Sequence, residues 1–180
     1  MSKAQLKKEL ANLTQEQLIE LILNTYGISS EVKQYYEFFL NPDVEKLLEK
    51  FKQAVSKELS RAKYGRRSKA RISVVNGHLK QFRMLDPGSE WVIELWLYML
   101  QYAAVTESAL YFSETLYRGL GKSLDGLMDY ADSNYQLDRV LKGVREIVES
   151  DTTSRTMRRL LNETTANYEP KIDFLKKNKG

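Results

Sequence analysis

The chain has 180 residues, with 28 Lys and Arg against 24 Asp and Glu, a single His and no Cys. That length suffices for a hydrophobic core without staples, and the lack of cysteine excludes disulfides, thiolate metal sites and cysteine nucleophiles. The formal net charge of +4 is modest and does not by itself mark a nucleic-acid protein.

Only three Pro and nine Gly interrupt the chain, and no run alternates with period two over strand length. The expectation is therefore an all-α fold, with a single compact domain over 1–169 and a Lys-rich tail over 170–180. About eight or nine helices should form an irregular bundle or a stack of helical hairpins. Met1-Ser2-Lys3-Ala4-Gln5 passes straight into an amphipathic pattern, without the apolar segment of a secretory signal. The most apolar run, Trp91 to Val105, covers 15 residues, whereas a membrane span needs about 20. These features predict a cytoplasmic chain with no membrane segment.

Ser2 can cap a first helix carrying Leu6, Leu10 and Leu13 on one face. Thr14 with Gln17 reads as a capping box opening a second, whose Leu18, Leu21, Ile22 and Thr25 face inward, and Gly27 suits a left-handed stop. Ser30 opens a third. Asn41 and Pro42 fit the cap and first position of a fourth, with Val44, Leu47, Leu48, Phe51, Val55, Leu59 and Ala62 at helical spacing until Gly65. A fifth helix, from about Ser68 to Met84, points Ile72, Val75, Leu79 and Phe82 inward despite Gly77. Asp86-Pro87-Gly88-Ser89 is a turn. The sixth helix, about Glu90 to Thr106, is apolar almost all round and should sit at the centre of the core. Leu116 to Ala131, Leu137 to Val148 and Ser154 to Tyr168 supply three more, and Ile172, Phe174 and Leu175 form a docking group in the tail.

Several of these strings together resemble an uncharacterised bacterial family of small helical proteins, a domain of unknown function. The resemblance is carried by Ser2-Lys3 through Leu10, Leu13-Thr14, Glu16-Gln17-Leu18-Ile19, Glu31-Val32-Lys33-Gln34-Tyr35-Tyr36 with Asn41-Pro42, Ser68-Lys69-Ala70-Arg71, and Leu97-Tyr98. It covers roughly residues 2–105. It implies a bacterial, intracellular, helical protein, and it carries no substrate, cofactor or site residue.

Catalytic constellations are sparse. His78 has no second imidazole and no Glu-x-x-His arrangement, so a packed histidine is the simpler reading. Gly121-Lys122-Ser123 resembles the end of a phosphate loop, but Leu116 stands where its first glycine belongs, and close helix packing accounts better for Gly119 and Gly121. Asp125, Asp129 and Asp132 share a helix side and read as a solvated acidic face. Glu94, among Trp91, Ile93, Leu95 and Trp96, must be paired or proton-shifted if buried, and pairing with a basic neighbour is the simpler outcome.

Charge placement is less even. Residues 59–85 hold no acid and eight bases, Arg61, Lys63, Arg66, Arg67, Lys69, Arg71, Lys80 and Arg83. Read as helix, Arg66, Lys69, Ser73, Asn76, Lys80 and Arg83 form one polar stripe that could neutralise phosphates, with no aromatic residue interleaved for base stacking. Residues 86–116 hold five acids and no base, so internal pairing competes with a partner. Tyr35, Tyr36, Phe38 and Phe39 are too close in sequence for one helix face to bury them all, so core packing is the simpler use of some and a protein interface the candidate role of the rest. The functional expectation is a non-enzymatic protein-interaction module, without cofactor or metal, that binds a protein partner or itself. Nucleic-acid or polyanion binding through 61–83 is the alternative.

Overall fold

Side-chain caps fix where the first helices begin. In the computed structural model, which describes residues 1–166 and 168, the Ser2 hydroxyl accepts from the Gln5 amide at 3.2 Å while the Gln5 side chain accepts from the Ser2 amide at 2.8 Å. Thr14 and Gln17 repeat this exchange at 3.3 and 2.9 Å. These caps open α1 (Lys3–Leu10) and α2 (Gln15–Tyr26), and Ser29, one residue before the expected start, caps α3 (Ser30–Leu40). Gly27 has φ −80°, so α2 ends without using the left-handed region that the sequence suggested.

The contacts divide the chain into two units, Met1–Asp43 and a second beginning at Val44. Within the first, α2 packs on α3. The Tyr26 hydroxyl donates to Glu37 at 3.2 Å, and the Lys33 ammonium lies 5.7 Å from the Tyr26 ring centroid. No residue of these three helices is fully buried.

The second unit holds the core. Its α4 (Val44–Leu59) buries Leu47, Leu48, Phe51, Val55 and Leu59 of the expected stripe together with Glu58, but it ends before Gly65, and Ala62 lies beyond it, exposed. This helix starts two residues after Pro42, so the proline precedes the helix instead of occupying its first position. Two short strands follow, β1 (Ala62–Lys63) and β2 (Arg67–Ser68), paired antiparallel around a turn at Tyr64–Arg66. The fifth helix, α5 (Ile72–Met84), therefore starts four residues later than expected. Next come α6 (Ser89–Ala109), α7 (Glu114–Ser133), α8 (Leu137–Glu149) and α9 (Arg155–Ala166). With nine α-helices and one minor hairpin among the described residues, the fold is all-α. The tail 170–180, with Ile172, Phe174 and Leu175, lies outside the described residues.

The central position of α6 follows from its composition. It packs against α4, α5, α7 and α8 and buries residues from Val92 to Thr106 on several sides. The turn before it needs Gly88, at φ 109°, where a side chain would be strained.

Two glycines let helices approach closely. A methyl at Gly119 would stand 2.6 Å from Ile72 Cγ2, and one at Gly143 would stand 2.6 Å from Leu97 Cδ1. By contrast, Gly77 in α5 has nothing within 4 Å. Gly77→Ala should therefore stabilise the fold by up to about 1 kcal/mol through helix propensity alone. Gly119→Ala should destabilise it by about 1 kcal/mol net, because overpacking of roughly 1–3 kcal/mol exceeds the same propensity gain. Urea denaturation midpoints that move in opposite directions are the expected result.

Candidate functional site

Glu58 organises the basic segment. It lies on the buried stripe of α4 and is only 7 % exposed, so its charge must be compensated. Its Oε1 accepts from the Arg71 backbone amide at 2.9 Å, Arg71 Nε at 3.1 Å and Arg61 Nη1 at 3.0 Å. Burial raises its proton affinity, but the hydrogen bonds from Arg71 and Arg61, with the Arg61 charge, outweigh burial and hold the carboxyl below the usual range. This one carboxylate joins the end of α4 to the start of α5 and closes the base of the β-hairpin. It also meets the uncapped N-terminus of α5, where negative charge is favoured.

The hairpin is pinned at its other end by Arg66. Arg66 Nε donates to the Ala109 carbonyl at 2.7 Å and Nη2 to the Ser108 carbonyl at 2.9 Å. Both carbonyls lie in the last turn of α6, which has no basic residue of its own there. Backbone bonds from Tyr111 N to Arg66 O (2.7 Å) and from Ser68 N to Tyr111 O (3.0 Å) bring Tyr111 alongside β2. The Arg66 guanidinium then lies 5.7 Å from the Tyr111 ring centroid.

The stripe expected along one helix is thereby corrected. Arg66 and Lys69 precede α5, and the segment divides into two sets of bases. Arg61 and Arg71 serve Glu58, Arg66 serves α6, and the Arg83 guanidinium lies 5.7 Å from the Tyr130 ring centroid. Lys63, Arg67, Lys69 and Lys80 are exposed and form no ion pair with a described residue. The expectation that no aromatic residue accompanies the bases is also corrected. Tyr64 stands in the turn at 100 % exposure, and Tyr111 joins it from 47 positions further on at 68 % exposure.

The acids of 86–116 do not supply the pairing. Glu94 accepts from Lys52 Nζ of α4 at 2.8 Å, Glu114 pairs with Arg118 at 2.8 Å, and Glu107 accepts from the Tyr117 and Ser154 hydroxyls. Burial, then the Glu107 carboxylate, pushes the Tyr117 hydroxyl well above the usual phenol range. His78 is half-buried with its ring edge-on to Phe51, 6.4 Å between centroids. Neither His78 nor Glu94 borders the 140 Å³ cavity between α6 and α8 or the 420 Å³ one at Arg155 to Arg159.

Ser123, from the string that resembled a phosphate loop, is buried within α7. It accepts from Trp96 Nε1 at 2.9 Å and donates to Asn76 Oδ1 at 2.9 Å. Asp129 accepts from the Tyr168 hydroxyl at 3.0 Å, and burial followed by the charges of Asp129, Asp125 and Asp132 pushes that phenol up to about 12. Among the described residues, no group of three His, Cys, Asp or Glu side chains could hold a metal ion.

The second candidate surface is the N-terminal unit. Tyr35 and Phe39 stack on one side of α3 with centroids 6.3 Å apart and are 44 % and 67 % exposed, while Tyr36 and Phe38 are half-buried. No single face of α3 therefore covers all four aromatics. Leu21 and Ile22, expected to point inward, are exposed, as are Leu23, Ile28 and Leu40.

A family model covers residues 1–167. The chain belongs to DUF6155, a family of unknown function. Membership takes in the C-terminal helices that the sequence strings, confined to roughly 2–105, did not reach. No curated protein and no solved structure matches the chain. No helix among the described residues of this DUF6155 chain is long and apolar enough to cross a membrane.

Proposed function

We propose that this DUF6155 chain is a non-enzymatic interaction protein of the bacterial cytoplasm, and that its N-terminal unit, Met1–Asp43, docks a protein surface. The observation that carries the reading is the contrast between the units. From Val44 onward, helical stripes are buried as periodicity requires, whereas α1 to α3 bury no residue completely, and Leu23, Phe39, Leu40 and, between α2 and α3, Ile28 are each more than 60 % exposed. Apolar surface concentrated in this way is a common mark of a protein interface.

The test compares the wild-type chain with Leu23→Lys/Ile28→Lys/Phe39→Lys. Affinity capture from extracts of the source organism, with sedimentation velocity for self-association, should give a partner or an oligomer that the triple variant loses. Thermal unfolding of the core should be unchanged. A strictly monomeric chain with identical captured proteins for both versions overturns the reading.

A further inference from the structure

We propose that the Ala62–Ser68 hairpin binds single-stranded nucleic acid, with Lys63, Arg67 and Lys69 neutralising phosphates and Tyr64 stacking on a base. This surface belongs to the second unit and stands independently of the docking role given to Met1–Asp43.

The turn is built to hold an aromatic ring in water. Gly65 and Arg66 both take left-handed φ, 75° and 61°, which for Arg66 is a strained choice. The result is a Tyr64 ring at 100 % exposure, contributing nothing to the core. The turn is nevertheless anchored, because the Arg66 side chain is tied to the Ser108 and Ala109 carbonyls and its backbone to Tyr111. With the backbone beneath the ring already ordered, stacking costs only the rotamer freedom of one side chain.

The charge around that ring is equally committed. Lys63 and Arg67 are directly opposite one another in the hairpin register, flanking the turn, and Lys69 follows two residues on. All three are exposed without an ion pair among the described residues, although Glu58 neutralises two other bases nearby. Tyr111, 68 % exposed beside Arg66, offers a second ring. Bases alternating with phosphates along a flexible strand match rings set among cations, whereas a duplex keeps its base faces stacked inside. A lipid surface would use the charges but not the stacking.

The experiment is fluorescence anisotropy of the full chain with labelled oligo(dT) and oligo(U) of about 15 nucleotides, within the range that such sites span. With three phosphates neutralised, log affinity against log salt should have a slope of about −2. Lys63→Glu/Arg67→Glu/Lys69→Glu should weaken binding and flatten that slope. Tyr64→Ala should weaken binding at least about fivefold while leaving the slope unchanged, because it removes stacking alone. These side chains make no described structural contact, so melting temperatures should not move. Three results overturn the proposal: no binding at low salt, affinity unchanged in Tyr64→Ala, or stronger competition by duplex DNA or phosphatidylserine vesicles than by unlabelled single strand. If the triple variant folds poorly, the Tyr64→Ala comparison still decides.

Discussion

Glu58→Ala should lower the stability of the core by about 3 kcal/mol, the largest effect expected of any polar substitution in this chain. Hydrogen bonds to a charged group contribute roughly 1.5–3 kcal/mol each, but Arg61 and Arg71 are exposed enough to rehydrate when the carboxylate is removed, so the losses do not add. What is not recovered is the acceptor for the Arg71 amide and the negative charge at the start of α5. A domain of this size loses about 2–4 °C of Tm per kcal/mol, giving a fall of about 6–12 °C. Glu58→Gln keeps an acceptor and should lose about half as much.

The same residue gives a pH dependence. Its carboxyl is held below the ordinary value of 4.5 in the folded chain, so the unfolded chain binds the proton more tightly. The stabilisation is fully present above pH 4.5 and is lost as pH falls through the lower folded value. The difference in Tm between wild type and Glu58→Gln should therefore shrink as pH falls below about 4. A gap that stays constant down to pH 2 contradicts the assigned charge pairing.

Ser123→Ala should cost about 2 kcal/mol, out of proportion to the single oxygen removed. The hydroxyl sits between the Trp96 indole N–H and the Asn76 amide oxygen, linking α6, α7 and α5 inside the core. Its loss leaves a buried indole donor without its acceptor, and such a donor bears its desolvation cost unrelieved. Urea denaturation should show a lower midpoint with an unchanged slope, since the same surface is exposed on unfolding. A neutral result would mean that Trp96 finds another acceptor.

How far the sequence carries depends on whether the decisive contacts are local. Capping is local, so Thr14 and Gln17 could be read directly. The stripes of α4, α7 and α8 bury most of the residues that their spacing marks, because a long amphipathic pattern has only one way to shed its apolar face. The hairpin was not legible in this way. Its strands are two residues each, too short for any alternation, and its anchor is the end of α6, more than 40 residues further along. Periodicity therefore ran α5 back through Ser68, and the bases appeared as one helical stripe.

Two residues that shape the basic segment nevertheless stand out in the sequence. Glu58 stands three residues after Val55 and next to Leu59, inside the apolar stripe, and an acid in that place signals a buried partner. It was missed because it falls one residue before the acid-free segment begins. Tyr64 lies within the basic run itself, but a helix reading ends the fourth helix at Gly65 and starts the polar stripe at Arg66, which leaves the ring outside it. The exposed apolar faces of α2 and α3 illustrate the opposite limit, since an amphipathic pattern states which side avoids water but not which surface covers it.

Hydrogen exchange of the free chain and of the captured complex would locate the docking surface. Amides of α2 and α3, between Gln15 and Leu40, should gain protection in the complex while those from Val44 to Ala166 exchange as in the free chain. Protection gained only beyond Val44, with the N-terminal helices unchanged, would contradict that location.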